Sequence, residues 1–133
     1  MITGLYAGIL GFLYIALTVR VIHGRWKYRV GIGTGQNPDL ALRIRVHGNF
    51  MEFAPIALGL IALVEIGGAS PAQLHALGAT LVIGRLLHVW GLGRSAGTSA
   101  GRMIGTTLTQ LVIFAASVGA VVAWCQAVNL APN

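Results

Sequence analysis

Apolar residues in this chain gather into four long runs, separated by three polar stretches of unequal character. A run of about 20 apolar residues is long enough to cross a bilayer as a helix. The pattern places such spans at about residues 2–22, 47–66, 72–92 and 103–128. Backbone polar groups in lipid must bond within their own segment, so these runs predict helices. The expected fold is an all-α integral membrane protein, with one four-helix domain over residues 1–133. The first run has no basic residue ahead of it and its charges follow instead, which reads as a retained helix, not a signal peptide.

The polar stretches set an orientation. Residues 23–45 carry Arg25, Lys27, Arg29, Arg43 and Arg45, with Arg20 just before them, and the stretch after Leu92 adds Arg94 and Arg102. The link Gly67-Gly68-Ala69-Ser70-Pro71 has no basic residue, and neither tail has one. Basic loops stay cytoplasmic, so the first and third loops are expected inside and both termini outside.

Composition agrees. The chain is 56% hydrophobic and 9% charged, against roughly 25% charged in soluble domains. This excludes an ordinary soluble domain, a disordered chain and a coiled coil. A net charge of +6 invites a nucleic-acid partner, but the basic residues sit between the apolar runs and mark membrane topology instead. A lone Cys125 excludes an internal disulfide framework and any multi-Cys metal site. Gly31-Ile32-Gly33-Thr34-Gly35 looks like a dinucleotide fingerprint, but without a preceding strand it reads as a loop turn. His47 and His88 fall on separate helices, no His-Glu-x-x-His pattern occurs, and no metal is expected. Asp39, the only aspartate, sits in a Pro-containing loop, a poor start for a Ser–His–Asp site.

Ionisable residues inside spans are expensive and usually face the bundle interior. Arg45, Asn49 and Glu52 lie at i, i+4 and i+7, on one face of the second helix, with Pro55 one turn later and His47 pointing elsewhere. Arg85 and His88 share a face of the third helix, which Leu92 continues. Arg102, Thr106, Thr109 and Gln110 lie on a similar face of the fourth. Arg20 falls at the same depth. One Glu among several Arg asks for an anionic ligand, with lipid headgroups as the alternative; an Arg–Glu pair closed by Asn and serving only packing also fits the second helix. Glu65 and His75 stand apart near the outer side. Small residues four apart, Gly4 with Gly8, Gly101 with Gly105 and Ala115 with Gly119, suit close helix approach and favour an oligomer.

Three segments carry a resemblance. Leu42 to Pro55 contains Arg45, Asn49, Glu52 and Pro55 in the spacing Arg-x-x-x-Asn-x-x-Glu-x-x-Pro. The others are Gly84-Arg85-Leu86-Leu87-His88-Val89-Trp90-Gly91-Leu92 and Arg102-Met103-Ile104-Gly105-Thr106. With the four-span topology, they resemble the MAPEG family, membrane-associated proteins in eicosanoid and glutathione metabolism, in its small bacterial branch. The resemblance implies a homotrimer in the inner membrane, with a glutathione site between subunits near the cytoplasmic face. It implies that Arg45, Asn49, Glu52, Arg85 and His88 bind glutathione as co-substrate. Arg102 matches the arginine that stabilises the thiolate, and Arg20 is a looser match. The implied activity is glutathione transfer to lipophilic electrophiles, or peroxidase chemistry on lipid hydroperoxides. A non-catalytic lipid- or thiol-binding trimer is the alternative. A small multidrug transporter fits less well, because residues 1–22 hold no acidic residue. Two departures bear on the ligand: Leu92 stands where many eukaryotic members have Tyr, and Gly48 where some have Arg.

Overall fold

The computed structural model describes residues 1–94 and 99–130, with the side chains of all but 92–94 and 130. It is an all-α bundle of four helices: α1 Ile2–Tyr28, α2 Pro38–Ile66, α3 Pro71–Arg94 and α4 Ala100–Leu130. Each is long and apolar enough to cross a membrane. The helices outrun the apolar windows that locate them. At 1.5 Å per residue α1 and α2 span roughly 40 Å, against about 30 Å of hydrocarbon. Residues 23–28 and 38–45, expected between spans, are therefore helical, and the first link shrinks to residues 29–37.

Local chemistry explains the helix starts. Asn37 has extended backbone, its Oδ1 accepts from the Leu40 N–H at 3.0 Å, and Pro38 opens the first turn of α2. Asp39 thus lies inside the first turn of α2, not in a loop. It accepts from Arg43 Nε at 2.9 Å and from the Tyr28 hydroxyl at 2.8 Å, stapling the end of α1 to the start of α2. Ser70-Pro71-Ala72-Gln73 forms a capping box before α3, with Ser70 N–H donating to Gln73 Oε1 at 3.0 Å. Ser99 Oγ accepts from the Arg102 N–H at 3.3 Å as α4 begins.

Helices α2 and α3 pack together at the centre; α1 and α4 each pack against both, and among the described residues α1 and α4 do not meet. The core runs through Leu10 and Leu17 of α1, Val46, Phe50, Ala57 and Ile61 of α2, Leu81 of α3, and Val112 and Ala116 of α4. Lipid tails are as apolar as leucine, so close backbone approach must supply much of the attraction. It does so between α3 and α4. A Cβ added at Gly105 would meet the Gly84 carbonyl oxygen and the His88 N at 2.5 Å, and Gly91 lies against the backbone of Gly101 and Arg102. The small-residue pairs divide accordingly. Gly101, Gly105 and Gly119 are contact points, whereas Gly4 and Gly8 touch nothing within the subunit.

The side away from the basic link has its own ties. The Glu65 carboxylate accepts from the N–H groups of Ile2 and Thr3, satisfying two orphan donors at the start of α1. The Tyr6 hydroxyl lies 2.8 Å from His75 Nδ1, joining α1 to α3. Both polar residues near that end therefore serve helix docking.

Candidate functional site

Arg85 is the centre of the arrangement. Its residue is 2% exposed, the largest side chain so enclosed among the described residues. The α3–α4 backbone contact at Gly84 and Gly105 seats this part of α3 deep in the bundle. A buried cation needs partners. Arg85 Nη1 donates to Asn49 Oδ1 at 3.0 Å and to the Asn49 carbonyl at 3.4 Å. The guanidinium also stands 5.9 Å from the centre of the Phe53 ring, a cation–π contact. Arg85 Nε is buried with no hydrogen-bond partner.

Asn49 is thereby turned from its own stripe toward α3. Arg45 and Glu52, its neighbours on α2, still pair: Arg45 Nη1 donates to Glu52 Oε1 at 3.4 Å. Their side chains are 65% and 51% exposed on the wall of the subunit. The amide does not close this pair but links the stripe to the buried arginine. Gly48, beside it, has open space where a Cβ would stand.

His88 is buried one turn beyond Arg85. The charges of Arg85, Arg102 and Arg45, from three helices, all bear on its ring. The glycine contacts of α3 and α4 bring Arg102 to this level, since its backbone N lies against Gly91. Thr109 is buried and its hydroxyl donates to the Gly105 carbonyl at 2.8 Å, a bond within its own helix.

The structure thus gathers Arg45, Asn49, Glu52, Arg85, His88 and Arg102 around one depth of α2, α3 and α4. Arg20 stands apart. Its side chain is exposed, and its carbonyl accepts from Arg43 Nη1 at 3.1 Å. The side chain of Leu92 lies outside the described residues. One participant, Phe53, escaped the sequence reading, whereas His47 points away from the stripe as expected. Phe53 sits one turn from Asn49, an i, i+4 signal hidden among apolar neighbours. His47 faces α1, with Nε2 3.1 Å from the Thr18 hydroxyl and its ring against Tyr14. Tyr14 and Thr18 are themselves at i, i+4, a pairing visible only once the helix they face is known.

Chemically, the site offers three guanidinium groups, one carboxylate, one imidazole and an amide. Arginine forks suit carboxylates, and the carboxylate suits an ammonium. Among the described residues no three His, Cys, Asp or Glu side chains group to hold a metal.

Comparison with known proteins places these residues in a family context. The model of the MAPEG family matches residues 3–122. The chain is similar to inner membrane protein YecN of Escherichia coli strain K12, at 37% identity over 91 residues, covering 68% of this chain and 70% of the relative. YecN from Escherichia coli O6:H1 matches equally.

Proposed function

This chain belongs to the MAPEG family, and from that premise we propose that it is a glutathione-dependent transferase of the inner membrane, working as a homotrimer. The observation that carries the reading is the stripe on α2. Arg45 and Glu52 pair on the open wall of the subunit, while Asn49 between them is held by buried Arg85. An ion pair facing lipid is costly. A neighbouring subunit and a peptide with two carboxylates and one ammonium would cover it. Inner-membrane placement draws on the name of the Escherichia coli relative, and the inward orientation on the basic loops.

In this reading Arg45 takes a glutathione carboxylate and Glu52 the ammonium. Asn49 and Arg85 hold the peptide, with Arg85 acting through Asn49 because it is enclosed. His88 lines the site, and Arg20 stays a peripheral candidate. Arg102 stabilises the thiolate, since a guanidinium beside a thiol lowers its pKa. With an aryl halide, the thiolate sulfur bonds the ring carbon, the halide leaves with the bond pair, and the thiol proton goes to water. Lipid hydroperoxides are the other substrate class. A specific observation favours the second reading, a non-catalytic thiol- or lipid-binding trimer: the Asn49 oxygen is already engaged by Arg85, as in a purely structural cluster.

One experiment separates the two. Detergent-purified protein is titrated with glutathione while thermal stability and thiolate absorbance are read. The transferase reading expects a raised melting temperature, a thiolate band at neutral pH and conjugation of an aryl halide. In Arg102→Leu the thiol pKa rises and turnover falls more than binding does. Binding without thiolate or turnover in wild type assigns the non-catalytic role, and absence of binding refutes both glutathione readings.

A further inference from the structure

A groove of about 580 Å³ runs along the end of α1, lined by Ile22, Arg25, Trp26, Arg29, Val30 and Gly31. None of its lining residues belongs to the α2–α4 cluster. Because α1 outruns the hydrocarbon, these residues lie where acyl chains give way to headgroups. The lining combines apolar Ile22 and Val30 with Trp26, which is 79% exposed, and two arginines. Tryptophan favours this depth.

The two arginines differ. Arg25 is engaged in building the wall: its Nη1 donates to the carbonyls of Gly31 at 2.9 Å, Gly33 at 3.3 Å and Val30 at 3.4 Å. Its own carbonyl accepts from the Val30 N–H at 3.0 Å. Arg29 occupies the C-cap of α1 at φ 55 and ψ 42, left-handed backbone. Glycine is the usual residue there, because a Cβ is crowded in that conformation. Gly33 and Gly35, in the same link, take positive φ without that strain. Among the described residues the Arg29 guanidinium has no acidic partner; the ion pairs are Arg43–Asp39 and Arg45–Glu52. Gln36 in the same link shares the positive φ, so what sets Arg29 apart is a guanidinium on the groove wall without an acidic partner.

We propose that the end of α1 binds an anionic phospholipid from the leaflet on the side of the α1–α2 link. Its phosphate meets Arg29, its glycerol region meets the Trp26 indole, and an acyl chain follows Ile22 toward the hydrocarbon. Charge complementarity selects an anion. The apolar Ile22 and Val30 walls and the bare indole select a lipid over a free anion, which would leave them unused. Lys27, with Nζ 5.0 Å from the centre of the Tyr28 ring, adds positive charge on the same turn.

The full chain is reconstituted in phosphatidylcholine vesicles containing brominated phosphatidylglycerol or brominated phosphatidylcholine. The Trp26 signal is obtained as the difference between wild type and Trp26→Phe. Brominated phosphatidylglycerol is expected to quench it preferentially. A basic residue at the surface is worth about a fivefold preference, so Arg29→Gln should lower the preference about fivefold. Arg29→Gly should do the same while the turn gains stability, as relief of left-handed strain predicts. Equal quenching by both lipids in wild type overturns the proposal. So does a preference that survives both Arg29 variants, or a loss matched by reduced thermal stability in both. Abolition of the preference by millimolar inorganic phosphate assigns the groove to a free anion and refutes the lipid.

Discussion

Replacing Asn49 with leucine isolates what the α2–α3 link is worth. The two side chains are similar in size, so the change removes polarity and leaves little cavity. It deletes the 3.0 Å bond from Arg85 Nη1 to Asn49 Oδ1 and leaves the 3.4 Å bond to the backbone carbonyl. Arg85 Nε is already without a partner, so the guanidinium has no reserve. Interhelical polar contacts in membrane proteins average about 0.6 kcal/mol and reach about 1.7 kcal/mol. A charged donor raises the value of a hydrogen bond to about 1.5–3 kcal/mol in water-soluble proteins. The unfolded helices in a micelle find other partners, so the upper membrane figure decides, and Asn49→Leu should cost about 1.5 kcal/mol. The assay is reversible unfolding in mixed micelles with increasing sodium dodecyl sulfate, followed by helical circular dichroism. In an Arg85→Met background the buried cation is gone, and Asn49→Leu should then cost almost nothing. Asn49→Asp keeps the acceptor and adds an opposite charge, so it should be at least as stable as wild type. Agreement of Asn49→Leu with wild type, or an identical penalty in both backgrounds, would refute the coupling.

Two further outcomes follow from the packing and the charge pattern. Gly105→Ala should lose about 1–3 kcal/mol, as expected for overpacking, because its Cβ would enter the Gly84 and His88 backbones, whereas Gly48→Ala should be neutral because nothing lies near it; the same micelle unfolding reads both. In a Cys125→Ser background, a cysteine at Ser70 should react with an impermeant thiol reagent in intact cells and one at Thr34 should not, and the reverse labelling would invert the orientation.

Much of the fold was legible because membrane helices are specified by composition over long windows. Four apolar runs became four helices, and Arg45, Glu52, Arg85 and His88 emerged from helical spacing alone. Helix ends were harder. Residues 38–45 carry the charges of Asp39, Arg43 and Arg45 yet are helical, because the Asn37 cap and the Pro38 start do not depend on hydrophobicity. Pairing between helices was hardest. Spacing put Asn49 with Arg45 and Glu52, but a buried arginine on another helix outcompeted an exposed pair for the same amide. Glu65 shows the same limit: a lone carboxylate in sequence, it finds its partners in the first amides of α1, more than 60 positions away in the chain. Phe53 was invisible for a related reason, since an aromatic among apolar residues reveals a cation–π role only when the cation's position is known.

The distribution of cost across the subunit then decides where its unfinished surface lies. Two of its buried polar side chains are tied, Arg85 to Asn49 and Thr109 to Gly105, while Arg85 Nε and Thr3 Oγ1 are buried without a partner. Further unmet cost is at exposed positions. Arg45 and Glu52 hold charge on an open wall, Gly4 and Gly8 offer bare backbone on α1, and Arg29 keeps a left-handed turn without an acidic partner. In water each would be unremarkable; at membrane depth an open ion pair and an unfilled small-residue face are both unfavourable. The α2 stripe and the α1 glycine face call for protein or ligand cover, which the proposed assembly provides. Arg29 lies where headgroups can reach it and needs only lipid. Two sites with different partners are therefore expected on one small bundle, and loss of one should leave the other intact.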